Sequence, residues 1–319
     1  MLRSLLILMS KNAWLKKVVM HWRPARKASQ RFIAGETLEQ AIEVVRKLNQ
    51  AGINATLDQL GENTTTVEGA LHSTQDVLAI IDAIVENRVR SNVSVKLSQI
   101  GLSLDEALCE ENLKKILNHA RARGLFVRID MEGSDLTQKT ITMYHRMIQS
   151  GYKNVGIVIQ TYLYRSQADI TDLSRWAGMV RLCKGAYKEP PSIAFARMAE
   201  VNANFDHITK LLFTSIKSAN LPRISEDGIT PPIAALATHD PLRIDFARWL
   251  VEEMQLPRET VEFQMLFGIR RDLQEQIAKA GFPVRVYVPF GTQWYPYFMR
   301  RLAERPANLW FFISSFFRK

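Results

Sequence analysis

Beyond Gly52 the chain alternates eight times between a short apolar run and a stretch of helical length, and this alternation restricts the fold more than any other feature. The runs lie at 55–60, 93–97, 125–131, 155–160, 179–184, 233–238, 261–266 and 284–288. Between them lie segments of helical period, such as 76–90 and 104–123, the latter ended by Gly124. Short runs without polar alternation are what strands buried on both faces require, and parallel strands joined by helices are buried in that way. Eight such units in roughly 250 residues fit a (βα)8 barrel. A doubly wound sheet is the other arrangement open to this pattern, but the chain holds no GxG to open a dinucleotide site. The expected class is α/β: a distorted (βα)8, TIM-type barrel over residues 53–319, preceded by an N-terminal helical arm over 1–52. Thr37 and Gln40 form a capping box at the start of the arm's last helix, which carries apolar Leu38, Ala41, Ile42, Val45 and Leu48.

The net charge of +10 suggests an anionic partner until it is mapped along the chain. Eight basic residues and no acidic one fall within 1–35, leaving +2 for the rest. The basic character therefore belongs to the arm, which suits anionic lipid, RNA or a targeting role. No glycine-rich or aromatic-basic motif supports nucleic acid elsewhere. Cys109 and Cys183 supply neither a disulfide framework nor a metal spacing, so a reducing compartment is expected and no metal. No apolar run reaches the ~20 residues that cross a bilayer.

In a barrel of this kind chemistry collects at the carboxyl ends of the strands. Those ends carry Glu62, Lys96, Asp130, Gln160, Arg181 with Lys184, Thr238 with His239, and Tyr287. Lys96 and Arg181 stand inside otherwise apolar runs, where a charge needs a partner or a ligand. His239 can serve as metal ligand, general base or structural histidine, although no HxH or HExxH accompanies it. Lys184 can be a Schiff-base lysine of a lyase barrel, or one of two cations facing an anionic cofactor. After the last run Gly291 breaks the strand, and Tyr297, Arg300, Arg301 and Glu304 fall on one face of a short helix. Two adjacent guanidinium groups suit a small carboxylate or phosphate; a solvated face with an Arg300–Glu304 pair is the plainer alternative.

Nine stretches then carry a resemblance: LDQLGE (57–62), SVKLSQIG (94–101), VRIDMEGSD (127–135), VIQTYLYRS (158–166), VRLCKGAY (180–187), ATHD (237–240), EFQMLFG (262–268), VYVPFG (286–291) and YFMRRLAE (297–304). In this order and placement they resemble the proline dehydrogenases in their monofunctional bacterial form. The resemblance implies oxidation of L-proline to Δ1-pyrroline-5-carboxylate with FAD, hydride passing to flavin N5 and electrons to a membrane quinone. It implies Arg181 beside flavin N5, and Asp130 as the active-site aspartate. Met131, Gln160, Lys184, Gly185, Ala186, Thr238 and His239 become FAD contacts. Lys96, Arg300 and Arg301 become the clamp on the proline carboxylate, Tyr287 and Tyr297 the walls around the ring, and Glu62 the ion-pair partner of the helix arginine above the substrate. Gly133 departs from relatives that carry a second acid there. The final helix is then expected to lie over the barrel mouth.

The C-terminal LWFFISSFFRK has five aromatics in eleven positions. It reads either as a helix packed on the barrel or a second subunit, or as an interfacial anchor. With the basic arm, the anchor reading predicts a cytoplasmic enzyme in peripheral contact with the inner face of the cell membrane. With no aldehyde-dehydrogenase half following, the product is expected to pass to a separate pyrroline-5-carboxylate dehydrogenase.

Overall fold

The structure is a computed structural model describing residues 19–20, 22–61, 64–187, 189–219 and 223–304. Eight strands close into a parallel barrel in sequence order: β1 (Asn54–Gln59), β2 (Ser91–Val95), β3 (Val127–Ile129), β4 (Val155–Gln160), β5 (Val180–Cys183), β6 (Ala234–Ala237), β7 (Val261–Leu266) and β8 (Val284–Phe290). β8 pairs with β1 from Asn54↔Arg285 to Gln59↔Phe290, which completes the ring. The expected (βα)8 barrel is therefore what forms, with β4 and β7 at the bounds read from sequence. Other strands differ at their ends. Lys96 and Asp130 each stand one residue beyond β2 and β3, where the chain leaves the ladder to present them at the mouth.

α1 (Arg23–Ser29) and α2 (Leu38–Gln50) precede the barrel. The expected capping box holds: Thr37 accepts from the Gln40 amide while the Gln40 side chain accepts in return. α2 buries Ala41, Ile42 and Val45 and packs against β1 and β8. The connecting helices are α3 (Val67–Glu86), α4 (Glu106–Ala122), α5 (Ser134–Gln149), α6 (Ser166–Arg175), α7 (Met198–Ala219), α8 (Pro241–Glu253) and α9 (Arg271–Lys279). α3 starts at Val67 behind a Thr66 cap, nine residues before the expected Asp76, because the early turns carry Gly69 and polar residues that conceal the apolar period. α10 (Trp294–Glu304) follows β8.

The main core lies between barrel and helices, and Val284, Val286 and Val288 belong to it. Their alternates, Arg285 and Tyr287, face the lumen. Barrels of this architecture usually fill that space with layers of branched aliphatics, but here it is largely polar. Its lower layer holds Thr56 donating to Asn92 at 2.6 Å, and Arg285 bound to Glu262 at 2.9 and 3.0 Å with both side chains fully buried. Arg128, also fully buried, donates to the carbonyls of Ile157 and Met179 and lies against the Phe126 ring. The loop before β6 closes the floor, its Gly228 and Ile229 carbonyls accepting from Arg285 and Asn92. Gly228 has φ +71°, and a Cβ there would strike the Asn54 side chain, so only glycine lets this loop press up against the barrel.

A second apolar cluster sits at the other end. Trp294, Phe298 and Leu302 of α10 pack with Ala25, Ala28, Phe32 and Ile33 of the arm and with Leu60 beyond β1. The arm is stitched to the β8–α10 turn by Ala34 N–H to the Pro289 carbonyl (2.9 Å) and Gly291 N–H to the Gly35 carbonyl (3.0 Å). Trp294 Nε1 donates to Glu36 at 3.1 Å.

Candidate active site

Above the Arg285–Glu262 layer, four strands bring their charged side chains to one point in the lumen. Such contacts between non-neighbouring strands are possible only for inward-facing residues. Asp130 is the hub. Its Oδ1 accepts from Arg181 Nη1 at 2.9 Å and from Ser94 Oγ at 3.0 Å, and its Oδ2 accepts from the Tyr287 hydroxyl at 2.7 Å. Lys96 Nζ lies 3.5 Å from the same Oδ2, donates to the Tyr287 hydroxyl at 3.3 Å and ion-pairs with Asp58 at 2.9 Å. The direction of bonding is consistent throughout: the ammonium donates to the phenol, and the phenol donates to the carboxylate.

The electrostatics follow from burial and these partners. Burial alone would raise the Asp130 pKa, but the Lys96 and Arg181 cations and the Tyr287 hydroxyl together hold it below the usual carboxylate range. Asp58 goes the other way, because burial and the nearby Asp130 charge outweigh Lys96 and push its carboxyl up. Burial, then the Asp130 charge, raises Tyr287 well above an ordinary phenol, so it remains a hydroxyl donor.

Arg181 is fixed on several sides. Nε donates to Gln264 Oε1 at 2.5 Å, Nη1 donates to Asp130 and Ser94, and the guanidinium lies 5.4 Å from the Tyr287 ring centroid. Gln264 is aimed in turn by Glu262, which takes its amide N–H. Arg181 Nη2 is buried and meets no acceptor among the described residues.

The other expected residues rim the same mouth. Gln160, at the end of β4, donates to the Glu132 carbonyl at 2.8 Å, and Glu132 accepts from the Ser98 amide and hydroxyl. These bonds pin the turn that carries the buried Met131. Lys184 pairs with Asp240 at 2.7 Å, and Asp240 caps α8. Burial opposes ionisation of Asp240, but the Lys184 contacts keep its carboxyl below the ordinary range. His239 Nε2 accepts the Leu266 amide at 2.9 Å, so a neutral imidazole there carries its proton on Nδ1. Thr238 is buried, with its hydroxyl accepting from the Asp240 amide at 3.1 Å. Gly185 and Ala186 lie exposed in the loop after β5.

Tyr297 is buried beneath Arg301, whose guanidinium lies 5.1 Å from the ring centroid, one helical turn away as the spacing required. Arg300 and Arg301 are both half-buried. Glu62 and the side chain of Glu304 fall outside the described residues. The sequence reading did not single out Asp58, Ser94 and Gln264. A carboxylate inside the apolar run of β1 was a signal for Asp58; Ser94 and Gln264 carried none beyond their motifs.

A family model described as proline dehydrogenase matches residues 41–313. Proline dehydrogenase 1 of Bacillus subtilis (strain 168) is 38% identical over 319 residues, covering 100% of both chains. The proline dehydrogenase of Deinococcus radiodurans is 36% identical over 291 residues, covering 90% of this chain and 89% of that one. The chain belongs to the proline dehydrogenase family. It has that family's enzymatic activity, the first step of proline catabolism. A crystal structure of proline utilization A from Bdellovibrio bacteriovorus superposes with a TM-score of 0.80 at 24% identity, covering 95% of this chain, and shows the shared fold. This proline dehydrogenase spans only 36% of that longer protein's length. Among the described residues no helix is long and apolar enough to cross a membrane, and no group of histidine, cysteine or acidic side chains could hold a metal ion.

Proposed function

We propose that this proline dehydrogenase uses FAD to oxidise L-proline to Δ1-pyrroline-5-carboxylate, with Arg181 as the principal contact to the flavin ring. The observation that carries this reading is the buried Arg181 Nη2, an N–H without an acceptor among the described residues, on a side chain whose other nitrogens are held by Gln264, Asp130 and Ser94. A buried donor left open costs roughly 1–3 kcal/mol, and an acceptor nitrogen or oxygen of a heterocycle in the mouth would satisfy it. Met131, Gln160, Lys184, Gly185, Ala186, Thr238 and His239 ring the same mouth and would hold the remainder of the cofactor. When bound, FAD would supply the two-electron acceptor for the hydride of the proline ring carbon, the ring nitrogen giving up its proton separately.

The protein's own part is position and field. Lys96, Arg300 and Arg301 bind the substrate carboxylate, while Tyr287 and Tyr297 flank the ring. Glu62, outside the described residues, is assigned on the family motif as the partner of an α10 arginine. Asp130 keeps Arg181, Lys96 and Tyr287 in register, and Arg181 brings the positive charge that favours electron gain at the flavin. The acceptor beyond FAD is a membrane quinone, with peripheral contact assigned on composition to the basic arm and the aromatic tail, of which residues 1–18 and 305–319 lie outside the described residues. The product goes to a separate pyrroline-5-carboxylate dehydrogenase.

The test is the absorption spectrum of the purified protein before and after anaerobic L-proline. Flavin bands that bleach support the reading. A colourless protein that stays colourless with added FAD refutes the cofactor, and bands that proline does not bleach refute the electron path.

A further inference from the structure

Among the described residues Lys96 is shared between two carboxylates, and the nearer is Asp58 at 2.9 Å, against 3.5 Å for Asp130. Asp58 is 1% exposed, on the inward face of β1. Among the described residues the charged and titratable groups acting on it are Lys96 beyond β2, Asp130 beyond β3 and Tyr287 of β8. Asp130 is committed to Arg181, Ser94 and Tyr287 through both oxygens. Asp58 has Lys96 as its close cation. A ligand carboxylate arriving at Lys96 would therefore compete with Asp58 for the same ammonium, and would set a third anion beside two buried ones.

We propose that Asp58 takes up a proton when a carboxylate ligand binds at Lys96, so that substrate affinity is set by the protonation of a residue that does not touch the substrate. The proposal rests on the reading of Lys96 as part of the carboxylate clamp. A protonated Asp58 no longer holds Lys96 by charge and no longer repels the incoming anion. An ionised Asp58 does both. Its carboxyl is already raised by burial and by Asp130, and an added negative charge raises it further, so binding and protonation favour each other. The sign follows: as pH rises through the Asp58 pKa the proton is lost and ligand binding weakens, and as pH falls binding tightens. Asp130 is held low and Tyr287 high, so neither titrates in the same window. Asp58 is thus a positioning residue and a specificity filter for anionic ring substrates.

The experiment uses the FAD-loaded enzyme and tetrahydrofuran-2-carboxylate, a ring carboxylate that lacks the nitrogen needed for reaction, as competitor against proline across pH. For the unaltered protein its inhibition constant rises with pH. Asp58→Asn keeps an oxygen to accept from Lys96 but never carries charge. Its expected profile is flat across the window, with affinity on the alkaline side raised on the order of tenfold. Asp58→Ala, which removes the acceptor as well, is expected to be flat but weaker than Asp58→Asn. Calorimetry of the unaltered protein in two buffers of different ionisation enthalpy reads the proton directly, and net uptake on binding is expected. A pH slope that persists in Asp58→Asn, or calorimetry showing no uptake, overturns the proposal. Lys96→Met is the separate control. If it leaves the inhibition constant unchanged, the clamp reading fails and the proposal with it; if it weakens binding while Asp58→Asn keeps the slope, only the proposal fails.

Discussion

Glu262→Gln tests how firmly the polar lumen depends on its lowest ion pair. Glu262 and Arg285 are 0% and 1% exposed at their side chains, and two N–H groups of Arg285 reach the carboxylate at 2.9 and 3.0 Å. A third donor, the Gln264 amide, reaches Oε1. The carboxylate supplies two acceptor oxygens to these three donors. A glutamine keeps one oxygen and turns an NH2 toward a donor, leaving Arg285 charged and half-satisfied where water does not reach. Breaking a buried pair from one side costs about 3–5 kcal/mol. For 319 residues the unfolding entropy is about 0.7 kcal/mol/K, so Tm falls by about 4–7 °C. Thermal unfolding followed by circular dichroism reads this, and the double variant Glu262→Leu/Arg285→Met should regain most of the loss because no buried charge is stranded. The damage should also reach the mouth. Gln264 loses its anchor, Arg181 Nε loses a fixed acceptor, and kcat should fall even well below Tm. A Tm for Glu262→Gln within about 1 °C of the unaltered protein would show that solvent enters the barrel floor and would sink the argument.

Arg301→Met should raise the proline KM by more than tenfold, since a charge-assisted contact is worth roughly 1.5–3 kcal/mol; steady-state kinetics with an artificial acceptor checks it, and an unchanged KM removes Arg301 from the clamp. Tyr287→Phe strips Asp130 Oδ2 of its 2.7 Å donor, and Lys96 is expected to move onto that oxygen, giving a higher KM and a stability loss of about 1–2 kcal/mol by urea titration. Gly268→Ala sets a Cβ against the Arg31 carbonyl at a φ of +75°, so the arm must shift; faster proteolysis of the arm and a higher KM should appear together. Burial pushes the Cys109 and Cys183 thiols up to about 12, so iodoacetamide at pH 8 should label neither in the folded protein and both in urea. Labelling of Cys183 in the native state would show that the β5 end opens.

The last helix shows how sequence and structure divide the work. Its period puts Tyr297 and Arg301 one turn apart, and the ring and guanidinium do stack. Nothing in that period says that Trp294 and Phe298 would be covered by α1, a contact nearly 270 residues away along the chain. The same holds within the barrel. The apolar runs and the Thr37–Gln40 box are local signals, written in side-chain period and cap chemistry, and they specify eight strands, their order and the start of α2. The residues that stand out as charges in apolar surroundings, Lys96 and Arg181, were legible for the same reason.

Asp58, Ser94 and Gln264 were not, because what gives them a role is pairing across the lumen. Arg181 reaches Gln264 only because β5 and β7 face the same axis, and Lys96 lies between two carboxylates only because β1 and β3 flank β2. By itself, then, the sequence determined the barrel, the family and most of the polar residues at its mouth, since strand period and strand-end placement are properties of neighbours along the chain. Only the tertiary structure decided which carboxylate serves which cation, which one is held charged and which is pushed toward its proton. Burial and distance set those, and both exist only once the barrel has closed.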